Sequence, residues 1–130
     1  MPEEQAKDFL EARPWLSGIC DTQSTEELKN KYDGWAKTYD RDVRKDWSFM
    51  PGNIARTLSQ LLPQKESVIL DAGAGTGLVG EALAQKEYSN ITAVDLSEKM
   101  LAIVLGKNSM TLASTRHRLN LYQFKYKIII

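Results

Sequence analysis

The residues with the clearest chemistry are three alternating glycines, Gly73, Gly75 and Gly77, set between two carboxylates, Asp71 and Asp95. They lie in the run VILDAGAGTGLVGEALAQKEYSNITAVDLS. A short apolar stretch enters Gly73-Ala74-Gly75-Thr76-Gly77, and a helical pattern leaves it. Without a Cβ, glycine lets the backbone approach a bound molecule closely. The first N–H groups of the helix after Thr76 have no acceptor within the helix and can hold an anion. Asp95 follows Gly75 by about twenty residues and ends the next strand, where a carboxylate can accept both hydroxyls of a ribose.

Two cofactor classes fit such a loop. Gly75-Thr76-Gly77-Leu78-Val79-Gly80 satisfies the G-x-G-x-x-G dinucleotide pattern read literally, which keeps an NAD-dependent oxidoreductase in view. Asp71 weighs against it. A carboxylate at the end of the first strand would face a doubly negative pyrophosphate, a mismatch of several kcal/mol at low dielectric. S-adenosylmethionine (SAM) has no phosphate; its ammonium and sulfonium suit a nearby acid, and its carboxylate suits the helix N–H groups.

The elements that must position these residues follow from periodicity. Ser67–Ala72 and Ile91–Val94 are short apolar runs of strand type. Thr76–Gln85 has helical spacing, and Ser97 caps a further helix carrying Met100, Leu101, Val104 and Leu105, with Gly106 ending it. Upstream, Ser24 or Thr25 caps a helix whose face carries Leu28, Tyr32, Trp35, Ala36, Tyr39 and Val43, with a weak point at Gly34. Residues 47–52 read as a loop, and Asn53–Leu62 as a helix with Ile54, Leu58, Leu61 and Leu62 inward and Pro63 stopping it. Strand–helix–strand–helix after leading helices predicts an α/β fold: a parallel β-α-β unit, part of a Rossmann-like doubly wound sheet.

DAGAGTG resembles the first motif of class I SAM-dependent methyltransferases, and AVDLSEKML resembles the segment that follows it. YDGWAKTYD is similar to the leading helix of small-molecule and methyltransferase-like members, in which aromatics close over SAM. The resemblance spans residues 30–103. It implies S-adenosyl-L-methionine as cofactor, with Asp95 on the ribose and Leu96 and Met100 near the adenine. The expected cofactor-binding set is Tyr39, Asp71, Gly73, Ala74, Gly75, Gly77, Asp95, Leu96 and Met100. Residues of the acceptor site and of catalysis, which the family draws from later strands, are not recognisable.

Other features have plainer readings. Tyr32, Trp35 and Tyr39 form a stripe of the kind that packs in a core, and a ring of that stripe facing a sulfonium would gain about 0.5–2 kcal/mol. Tyr39 is the candidate for that contact. Asp33, Asp40, Asp42 and Asp46 read as a solvated helix face rather than a metal site. His117 has no evident partner, and Cys20 reads as a small apolar residue. One cysteine excludes an intrachain disulfide and a multi-cysteine zinc site. No signal peptide or membrane-length apolar run is present in the sequence, so a cytoplasmic location is expected.

Charge divides the chain. It is −6 up to Glu98 and +6 after it, and no acid follows Glu98. The expected organisation is an N-terminal arm (1–23), a partial methyltransferase domain (24–105) reaching only its first two strands, and an atypical basic tail (106–130). Such a tail would arise from a chain truncated by alternative splicing, intron read-through or an inaccurate gene model. LNLYQFKYKIII alternates in part and could add as a strand to the sheet edge. The acceptor is expected to be a small molecule or protein, with no nucleic acid and no membrane as partner. The competing function is a truncated, non-catalytic isoform acting only through binding.

Overall fold

Helix starts in this chain are set by residues that suit a first turn. A computed structural model describes residues 2–107, 111–112 and 128–130. The first 23 residues, expected as an N-terminal arm, hold two helices, α1 (Glu3–Glu11) and α2 (Pro14–Cys20). Pro14 opens α2, where its missing N–H costs nothing. Ser24 caps α3 (Thr25–Trp47): its Oγ accepts the Glu27 N–H at 3.1 Å, and the Glu27 carboxylate accepts the Gln23 N–H at 2.9 Å. The helix runs through Gly34 without a break.

Residues 47–52, expected as a loop, are largely helix. Ser48 joins α3 directly to α4 (Phe49–Leu61). Pro51 falls in the first turn of α4, where no intrahelical N–H bond is lost. Leu62 caps α4, immediately before Pro63.

The sheet follows. Its elements are β1 (Ile69–Ala72), α5 (Leu78–Ala84), β2 (Ile91–Val94), α6 (Glu98–Lys107), β3 (Thr111–Leu112) and β4 (Ile128–Ile129). Strand order is β3-β2-β1-β4, with every pairing parallel. Two short outer strands thus flank the two expected from sequence. The order reverses between β1 and β4, and open α/β sheets bind ligands at the carboxyl ends of strands at such a point.

Register decides what each face carries. Ile69 lies opposite Ile91 and Asp71 opposite Ala93, so these four share one face. Ala55 and Leu58 of α4, with Leu83 and Tyr88, bury Ile69 and Ile91, and partly buried Ile130 joins them. Leu101 and Val104 of α6 cover Ala93. Full burial of an aliphatic chain such as Ile69 or Leu83 contributes roughly 1.5–3 kcal/mol. Leu61, expected inward, is 72% exposed. His117 and most of the expected tail strand lie outside the described residues.

Candidate functional site

The loop after β1 is shaped by its glycines. Gly73, Gly75 and Gly77 have φ of 80°, 57° and 83°, a region that side-chain-bearing residues enter at a cost of about 1–2 kcal/mol each. The loop is tied to the end of β2. Gly73 and Ala74 N–H groups donate to the Val94 carbonyl at 2.8 and 3.0 Å. Asp95 continues the tie: one carboxylate oxygen accepts the Gly75 N–H at 2.8 Å and the other the Ser97 N–H at 2.8 Å. A carboxylate oxygen can accept twice, so each retains capacity for a further donor. Asp95 was expected to stand beside the loop; it also fastens it.

Asp71 lies beneath. It is 5% exposed, and its Oδ2 has no hydrogen-bond partner among the described residues. Burial, and after it the nearby Asp95 charge, push its carboxyl up to about 6. Tyr39 of α3 covers the loop from outside, and a Cβ at Gly75 would stand 3.8 Å from its hydroxyl. Burial, then Tyr32, Asp95 and Asp40, push the Tyr39 phenol up to about 12, so it keeps its proton. Tyr32 is raised by burial and by Asp95.

The structure therefore brings together Tyr39, Asp71, Gly73, Ala74, Gly75, Gly77 and Asp95. Leu96 is next to Asp95 and exposed at 37%. Met100 is fully enclosed, because it falls on the inner face of α6 with Leu101 and Val104. Among the described residues no group of three His, Cys, Asp or Glu could hold a metal ion.

The aromatic stripe is extended by residues that sequence spacing did not connect. Trp35 packs against Tyr32, Tyr39 and Trp15 of α2, with centroids 5.9, 4.6 and 4.8 Å away. Trp15 also meets Trp47 edge-on at 5.2 Å. Tyr39 is thus the inner end of a row of rings. Cys20 is exposed, not packed as an apolar residue, because it closes α2 at the surface.

The four aspartates of α3 are not a solvated face. Asp33 holds Lys29, Ser97 and the Lys99 N–H; Asp40 holds Thr76 and Lys107; Asp42 accepts from Trp35 and Arg41; Asp46 meets Arg13. Thr76, Ser97, Asp33 and Asp40 are site neighbours missed in the sequence. Asp33, Ala36, Asp40 and Val43 share one helical face, and that spacing was the available signal. Apart from the site, a cleft lined in part by Val43, Trp47, Leu78 and Glu81 runs between α3, α4 and α5.

Residues 69–125 match the family described as Methyltransferase domain, so the match continues into the segment 106–130. The structure resembles the plantazolicin methyltransferase BpumL in complex with SAH, with a TM-score of 0.52 over 98% of this chain and 48% of that one, at 15% identity. The chain has, in part, the fold of a class I SAM-dependent methyltransferase. Demethylmenaquinone methyltransferase of Chlorobaculum tepidum is 31% identical over 96 residues, 68% of this chain and 39% of the relative. Methyltransferase-like protein 27 of Homo sapiens is 30% identical over 103 residues, 78% of this chain and 42% of the relative. Malonyl-[acyl-carrier protein] O-methyltransferase of Bacillus cereus is 33% identical over 89 residues, 64% of this chain and 31% of the relative. The chain thus spans about two fifths or less of the curated relatives it matches.

Proposed function

We propose that this chain is the cofactor-holding part of a SAM-dependent methyltransferase. The observation that carries this is Asp71: a buried carboxylate with an unsatisfied oxygen, under a glycine loop bridged by Asp95. Such a group repels a pyrophosphate and is repaid by a cation. The residues present fit SAM, and when bound it would supply an activated methyl group on a sulfonium. Asp95 has acceptor capacity left for the ribose hydroxyls. The glycine loop and the start of α5 offer backbone N–H groups to the amino-acid carboxylate. Asp71 balances the positive groups, and Tyr39 shields the loop from water. Leu96 gives apolar surface for the adenine, and Met100 packs within α6.

The chain's part in methyl transfer is then orientation and a dry, charge-matched setting. A small molecule or a protein would be the acceptor, with no nucleic acid and no membrane as partner, in the cytoplasm. No described helix is long and apolar enough to cross a membrane. The leading-helix pattern YDGWAKTYD supports a reading of the chain as similar to the methyltransferase-like protein of the Williams–Beuren syndrome region.

Titration calorimetry with SAM and with NAD tests the proposal. Saturable SAM binding is expected, with no heat from NAD. Asp95→Ala is expected to weaken SAM by about a hundredfold, because hydrogen bonds to a charged group contribute about 1.5–3 kcal/mol each. Binding of NAD without SAM would reverse the assignment.

A further inference from the structure

Two acidic side chains of α3 reach the two loops that flank the site. Asp40 accepts the hydroxyl of Thr76, which stands between Gly75 and Gly77. Asp33 accepts the Ser97 hydroxyl and, at 3.3 Å, the Lys99 N–H, in the turn that follows Asp95. These bonds join residues 36 and 64 positions apart, so they are tertiary contacts and not helix-local ones. Asp33 and Asp40 are two helical turns apart and share a face, about 10 Å along the axis. Between the two bonds, Tyr39 rests on Gly75.

Both hydroxyls need these acceptors. Thr76 is 1% exposed and Ser97 fully enclosed, and an unpartnered hydroxyl at such depth is destabilising. Each acid is also held by a lysine: Lys29 lies 2.8 Å from Asp33 and Lys107 2.8 Å from Asp40. Lys107 extends to Glu81 at 3.3 Å, and Glu81 to Arg44 at 3.4 Å. The start of α5, the end of α6 and the middle of α3 are therefore tied around the glycine loop.

Resting on the cofactor assignment above, we infer that Asp40 and Asp33 are positioning residues, each fixing the loop that serves a different end of the cofactor. Asp40 acts through Thr76 on the glycine loop, which takes the amino-acid end. Asp33 acts through Ser97 on the Asp95 turn, which takes the ribose. Neither touches the ligand. Loss of the first contact loosens chiefly the amino-acid end; loss of the second loosens the nucleoside that every related ligand shares.

The test is calorimetry on the full chain with two probes, S-adenosylhomocysteine and adenosine, which lacks the amino-acid arm. Thr76→Val is expected to weaken S-adenosylhomocysteine about tenfold and adenosine less than about twofold, within the usual range of coupling between sites. Thr76→Ser, which keeps the hydroxyl, should rescue the first ligand. Asp33→Ala should weaken both ligands about tenfold. If Thr76→Val does not fold, Asp40→Ala removes the same bond from the other side and must show the same split. Equal loss for both ligands in Thr76→Val, or no rescue by Thr76→Ser, overturns the inference while wild-type binding upholds the cofactor assignment. A folded wild type that binds neither ligand overturns the assignment and the inference together.

Discussion

In the folded chain the Asp71 carboxyl titrates near 6 instead of 3.8, first because burial penalises the anion and then because Asp95 adds negative charge. The folded state therefore holds an extra proton between those two values. Stability falls as pH rises through that window, by up to roughly 3 kcal/mol if no other group compensates. Asp71→Asn keeps the shape and removes the titration. Urea midpoints of wild type and Asp71→Asn should converge below pH 3.8 and separate by pH 7, with the variant the more stable. Parallel midpoints across that range would show that Asp71 carries no such cost. A cationic ligand reverses the balance, because it favours the ionised form. SAM affinity is expected to rise up to tenfold per pH unit below about 6 and to level above it. In Asp71→Asn that rise should vanish, and calorimetry from pH 5 to 7 reads it directly.

At the scale of elements, α3 has the most to do: it carries Tyr39, both tying acids and the ring row. Its start, its length in sequence pattern and its apolar face were all legible, because Ser24, Glu27 and the three-and-four spacing are local signals. The glycine loop, β2 and the Ser97 cap of α6 were legible for the same reason. The pairing of Asp33 and Asp40 was not, since their partners lie far along the chain and a carboxylate on a helix reads as solvated by default. The start of α4 was hidden by Pro51 and Gly52, which look like breakers until their place in a first turn is known. Gly34 shows how a local penalty is overridden: α3 continues through it because packing on both sides holds the helix. A Cβ there would meet nothing within 4 Å. Gly34→Ala is thus expected to stabilise the chain by about 0.5–1 kcal/mol, read as a higher urea midpoint. A lower midpoint would mean that α3 needs the flexibility at that point.

Across the whole molecule, the sheet explains why two central strands suffice to place a site but not to support it. β1 and β2 set the positions of Asp71, the glycine loop and Asp95, and their apolar runs are readable without any partner. What completes them comes from short outer strands: β3 has little sequence signal of its own, whereas β4 falls in LNLYQFKYKIII, whose partial alternation marked it as a candidate edge strand. β4 is the instructive one. Its register on β1 is continued by Ile130, whose N–H donates to the Leu70 carbonyl and whose carbonyl accepts the Ala72 N–H, each at 2.9 Å. Ile130 also packs against the cluster that holds Ile69 and Leu83. Ala72 and Leu70 lead straight into the glycine loop, so this edge braces the strand on which Asp71 stands. Deleting residues 128–130 removes these two bonds, about 1 kcal/mol each, and part of an aliphatic burial of similar size. A loss of about 2–4 kcal/mol is expected, with the β1 edge laid bare for pairing with other chains. Chemical denaturation should show the lower midpoint, and light scattering at rising concentration should show more association than in the full chain. If the shortened chain keeps the same midpoint and associates no more than the full chain, β4 braces nothing and β1 holds the loop unaided.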